Sequence, residues 1–265
     1  MSGPALAVGA ERIARAFEAH GRRAALMPYL MGGFPDAARA RACAEAAVDG
    51  GADLLELGVP FSDPLADGPV IHAAAVDALA AGATPDSVLE LCHDLAPRLP
   101  VILMVYANVV LQSGDDGFVA RAAQAGAAGL IVPDLPHDEA DGLRGACDGN
   151  GLALVPLVAP TSSSRRVAEV GADARGFVYT VSLAGTTGER DELPADLADT
   201  VAGVRSATEL PVAVGFGISS GAQARAVAGL ADGVIVGSRM VRAAREDGAE
   251  GVEAVVRELA AALAA

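Results

Sequence analysis

Short apolar runs rich in Val, Ile and Leu recur along the chain, near residues 26–31, 53–58, 101–105, 129–133, 153–158, 177–181, 211–214 and 233–236. Continuous apolar runs of this length suit strands buried on both faces, as in a parallel sheet. Between them lie longer segments with helical periodicity, among them 36–48, 86–96, 116–125, 194–207 and 219–228. Asp36, Asp86 and Ser219 stand where helix N-caps belong. Strand alternating with helix implies parallel crossovers. Eight such units in 265 residues predict a closed α/β barrel of the (β/α)8 TIM type, not an open doubly wound sheet. Residues 9–20 predict an extra N-terminal helix across the barrel floor, and 240–263 the last helix. No linker divides the chain, so residues 1–265 are expected to form a single domain.

Composition narrows the chemistry. Hydrophobic residues make up 52% of the chain and charged residues 20%, enough for a large core. The net charge of −15 argues against a nucleic-acid surface, which needs clustered cations. All 19 basic residues are arginine. Without lysine, Schiff-base aldolases, P-loop NTPases and enzymes with an internal pyridoxal-phosphate aldimine are excluded. Cys43, Cys92 and Cys147 form no CxxC pair and read as buried small hydrophobes in a reducing cytoplasm. His20, His72, His93 and His137 are scattered, so no metal site is predicted. The N-terminus lacks the charge order of a signal peptide, and no apolar run reaches membrane-spanning length. The expected location is cytoplasmic.

In an α/β barrel the active site is built after the strand C-termini. The second run leads into LELGVPFSDPLADGP, residues 55–69. Glu56 lies between Leu55 and Leu57 in an otherwise apolar strand, which is costly unless the carboxylate is paired or serves a pocket. The plain alternative is a strand-end glutamate facing solvent. Asp67 follows 11 residues later, in a loop stiffened by Pro60, Pro64, Gly68 and Pro69. Two carboxylates in different surroundings can divide acid and base roles. Asp53 reads as a residue just before the strand, and Asp63 as one that braces the loop or meets a partner. Glycines then cluster after the last three strands, in 182–190, 215–220 and 237–239. Gly217, Gly237, Ser238 and Gly188 are the candidate phosphate cradle, built from backbone N–H groups. The stretch 182–193 reads either as a lid over substrate or as an ordinary surface loop.

Seven segments in order, namely 55–69, MVYANVV (104–110), VPDLP (132–136), APTS (159–162), GFVYTVSLAGTTG (176–188), GFGIS (215–219) and GVIVGS (233–238), resemble the tryptophan synthase α-subunit family. The resemblance implies a barrel that cleaves indole-3-glycerol phosphate to indole and glyceraldehyde 3-phosphate. By motif match it makes Glu56 and Asp67 catalytic and Tyr179 an active-site tyrosine. Thr187 becomes the lid threonine, and Tyr29 and Phe216 line the indole pocket. Gly188, Gly217, Gly237 and Ser238 fall on phosphate-binding positions. It implies no cofactor in this chain, and a pyridoxal-phosphate β subunit as partner in an α2β2 complex, with loop 60–69, Asn108 and Pro136 at the contact. Met31 and Phe34 depart from the family's usual threonine and aspartate, and His72 from its glutamine. His72 reads either as a polar neighbour of the site or as a helix cap. Rival readings are another phosphate-binding barrel, a catalytically weak regulatory partner, and a sugar-phosphate binding module. The barrel rival indole-3-glycerol phosphate synthase relies on a lysine this chain lacks.

Overall fold

The computed structural model describes residues 8–181, 196–215 and 217–264. Nine strands pair in parallel: β1 Ala25–Met31, β2 Leu55–Gly58, β3 Val101–Met104, β4 Gly129–Ile131, β5 Ala153–Leu154, β6 Leu157–Val158, β7 Val178–Val181, β8 Val212–Gly215 and β9 Gly233–Val236. Their order is β5-β4-β3-β2-β1-β9-β8-β7-β6. The predicted run 153–158 is thus two strands. Pro156 has no N–H to give a ladder, so the run breaks there. Val155 N–H still donates to Leu130 O at 2.9 Å, and Pro156 O accepts from Tyr179 N–H at 3.0 Å. One end of the sheet is therefore continuous with the other through two residues, and the barrel closes.

Alternation along each strand builds two cores. Leu26, Leu55, Leu57, Leu103 and Leu130 face the surrounding helices. Met27, Ile102, Ile131, Val155 and Phe177 fill the barrel interior. The predicted N-terminal helix spans Val8–Ala19 and plugs the floor, with Ile13 and Phe17 entering the interior core. Gly9 lets it approach, since a Cβ there would lie 2.2 Å from Ala128 O. Arg12 donates to Ala96 O at 2.6 Å, Gly126 O at 2.7 Å and Leu99 O at 3.2 Å, placing a cation against carbonyls that follow two helices.

The helix termini differ in detail from the sequence reading. Asp36 caps Ala37–Asp49 as expected. The next predicted cap, Asp86, lies inside helix Pro85–Leu95; Thr84 caps it through a capping box with Ser87, because Pro85 suits the first helical position. Ser220, not Ser219, caps Gly221–Ala228. The predicted last helix is two, Ser238–Glu246 and Gly248–Ala264, broken where Gly248 takes φ 64. All three cysteines are buried free thiols.

Candidate active site

Both carboxylates meet at the C-terminal mouth of the barrel, in a cavity of about 470 Å³. Glu56 sits on β2 in register with Tyr29 on β1 and Ile102 on β3. Its neighbours Leu55 and Leu57 face the helices, so alternation turns Glu56 inward. The residue is 1% exposed, and among the described residues neither carboxylate oxygen has a hydrogen-bond partner. Burial, reinforced by the charge of Asp67, lifts its pKa to about 8. The solvent-facing alternative for Glu56 is thereby set aside.

Asp67 reaches the same cavity from the loop after β2. Burial raises it to about 6, opposed by a hydrogen bond from the Tyr106 hydroxyl and by the field of His72. Tyr106 lies within the MVYANVV segment and carries no role by sequence alone. It follows β3, stacks on Phe61 with ring centroids 5.3 Å apart, and its hydroxyl accepts from Ala66 N–H at 3.1 Å. It therefore ties the Asp67 loop to the neighbouring strand. Its only sequence signal is a lone aromatic just past a strand end. His72 is no cap: helix Pro69–Ala80 starts from Gly68 without a side-chain cap, and His72 acts on Asp67 through space.

Two tyrosines complete the interior wall. Tyr29 and Tyr179 are buried, and burial pushes both hydroxyls well up in pKa. Each ring leans over a glycine of the next strand. A Cβ at Gly58 would lie 2.2 Å from the Tyr29 hydroxyl, and one at Gly215 would lie 2.4 Å from that of Tyr179.

Gly217, Gly237 and Ser238 line the same cavity. Gly217 takes φ 40, a conformation suited to glycine. Ser238 opens helix Ser238–Glu246, whose first N–H groups are the kind that receive anions. The sequence candidates Thr187, Gly188 and Phe216 lie outside the described residues. So does the whole stretch 182–193, read as a lid or a surface loop. Met31 and Phe34 are both buried. Met31 Sδ lies 3.8 Å from the Tyr29 hydroxyl, and Phe34 packs under the Arg245 guanidinium, 4.8 Å from the ring centroid. Asp53 precedes β2, as expected, where it pairs with Arg22 and accepts from Leu26 N–H; Asp63, in the loop after β2, accepts from Ser62.

A second cavity of about 300 Å³, lined by Val132, Pro136, Arg144, Leu154, Arg166 and Asp173 among others, contains neither Glu56 nor Asp67. Among the described residues no three His, Cys, Asp or Glu side chains gather as a metal-binding group. Among them, too, no helix is long and apolar enough to cross a membrane.

The fold and site define a class: a TIM-barrel protein with two carboxylates, one of them fully buried, facing a cavity at the strand C-termini. Comparison with known proteins narrows this. The family profile "Tryptophan synthase alpha chain" matches residues 16–264. The tryptophan synthase alpha chain of Synechococcus elongatus is 47% identical over 244 residues, covering 91% of this chain and 92% of that protein. That of Gloeobacter violaceus is 49% identical, covering 87% and 86%. The structure of Mycobacterium tuberculosis tryptophan synthase superposes with a TM-score of 0.91 at 39% identity, over 96% of this chain and 98% of the other. The chain belongs to the tryptophan synthase alpha chain family.

Proposed function

We infer that the chain is the carbon–carbon lyase of tryptophan biosynthesis that cleaves indole-3-glycerol phosphate to indole and glyceraldehyde 3-phosphate. One observation carries the mechanism: a single cavity holds Glu56, fully buried and without a donor among the described residues, and Asp67, held by the Tyr106 hydroxyl, so burial lifts the first to about 8 and the second only to about 6. Near pH 7 the first is a carboxylic acid and the second a carboxylate.

The roles follow from those states. Glu56 protonates indole C3, giving an indolenine that serves as electron sink. The resulting Glu56 carboxylate removes the proton from the hydroxyl on the adjacent glycerol carbon. As that carbonyl forms, the C–C bond breaks and its electrons return to the ring, leaving indole with hydrogen at C3. Asp67 accepts a hydrogen bond from the ring N–H and offsets the positive charge there. Tyr179 and Tyr29 wall the indole pocket, with Phe216 assigned there by motif. Gly217, Gly237 and Ser238 hold the phosphate, joined by Gly188, and Thr187 closes the lid over Asp67. The chain uses no cofactor of its own.

We assign the chain a pyridoxal-phosphate β subunit as partner in a cytoplasmic α2β2 complex, which receives the indole. Leu65, 92% exposed above the cavity, supports a contact there, as do the exposed Asn108 and Pro136. The deciding experiment is indole release from indole-3-glycerol phosphate by the purified chain, alone and with a β subunit. Release that rises with the β subunit is expected. No release in either case from folded protein would overturn the assignment.

A further inference from the structure

Two buried groups in the cavity each lack the partner the other could supply. Among the described residues the Glu56 carboxylate has no donor. The Tyr29 hydroxyl, on a residue 3% exposed, has among the described residues one hydrogen-bond partner, the Met31 thioether at 3.8 Å. Thioether sulfur is a weak acceptor. The two residues are register partners on adjacent parallel strands and line the same cavity. Because Gly58 has no side chain, the Tyr29 ring leans across β2 and its hydroxyl rests over the strand that carries Glu56.

An ionised carboxylate in a water-poor cavity needs a donor. The proton cycle assigned to Glu56 creates that ion in every turnover. We propose that Tyr29 is a positioning residue for Glu56: as the carboxylate ionises, the hydroxyl turns from the Met31 sulfur and donates to it, holding it toward the reacting atoms. The inference rests on the proton-carrying role of Glu56. Other groups acting on this pair are Asp67 from the loop after β2, Tyr179 from β7, Tyr106 from beyond β3, both directly on Tyr29 and through Asp67, and His72 through Asp67. From β3 come the apolar Ile102 and Met104. All remain when Tyr29 is changed to phenylalanine.

The test combines indole release over a range of pH with carboxyl ¹³C NMR, the Glu56 signal being assigned with Glu56→Gln. In Tyr29→Phe, kcat is expected to fall about 10-fold with KM within about 2-fold, as for a lost hydrogen bond to a charged group. The Glu56 titration should move up by about one pH unit, since the lost bond favoured the charged form. An unmoved titration, or a change confined to KM, would overturn the proposal. Met31→Leu removes the competing acceptor at similar volume, so its Glu56 titration should lie at or below the wild-type value. An upward shift as large as that of Tyr29→Phe would indicate general repacking and also overturn it. The two readings fail separately. If wild type releases no indole yet the NMR shift appears, the lyase assignment falls and the pairing stands; normal release without the shift does the reverse.

Discussion

Replacing Glu56 with glutamine is expected to abolish turnover and, at neutral pH, to stabilise the fold. Folding moves this carboxyl from its ordinary 4.5 to about 8. Between those values the folded chain holds a proton that the unfolded chain has released. Stability therefore falls as pH rises through this window, because the native state binds more protons. At pH 7 the loss spans 7 − 4.5 = 2.5 units from the ordinary value of 4.5, or roughly 3 kcal/mol at ~1.36 kcal/mol per unit. Above pH 8 it levels off near 8 − 4.5 = 3.5 units, roughly 5 kcal/mol. Glutamine is nearly isosteric with the protonated acid and does not ionise, so it escapes this penalty. The assay is urea unfolding of wild type and Glu56→Gln at pH 4, 7 and 8.5. The expected stability gap is near zero at pH 4 and widens to a few kcal/mol. A gap independent of pH, or a glutamine variant less stable at pH 8.5, would refute the reasoning.

Other outcomes follow from the same geometry. Lyase turnover should peak between pH 6 and 8, falling on the acid side as Asp67, at about 6, gains a proton, and on the alkaline side as Glu56, at about 8, loses one; a pH–rate profile without these limbs would contradict the roles. Asp67→Asn should lower kcat by about 10²-fold or more while leaving the circular-dichroism spectrum unchanged. Gly215→Ala should impair both folding and rate, because the new methyl would sit 2.4 Å from the Tyr179 hydroxyl; a variant with wild-type stability and turnover would show that the ring moves freely. Arg12→Ala removes the donor to three carbonyls and should cost about 2–3 kcal/mol in denaturant unfolding with little change in KM.

Most of the fold was legible because parallel strands buried on both faces leave uninterrupted apolar runs. Glu56 stood out as a carboxylate inside one such run, and Asp67 by its stiff loop. Features that depend on contacts distant along the chain were not legible. Tyr106 meets Asp67 across two elements, and nothing local distinguishes it from a core aromatic. Met31 and Phe34 were marked as departures, but only packing places one against the Tyr29 hydroxyl and the other beneath Arg245. Helix starts slipped where neighbouring residues compete to cap, as Thr84 and Pro85 prevail over Asp86.

The break at Pro156 has a consequence for how the barrel breathes. An interior strand is normally tied on both sides, but β5 residues pair only with β4, and β6 residues only with β7, two register pairs each. This stave hands over from one neighbour to the other midway, so each half hangs from a single ladder. Amide hydrogens of 153–158 should exchange with solvent sooner than those of β1, which is paired with both β2 and β9. Since Leu157 also lines the cavity that holds Glu56 and Asp67, the wall that opens first is a wall of that cavity.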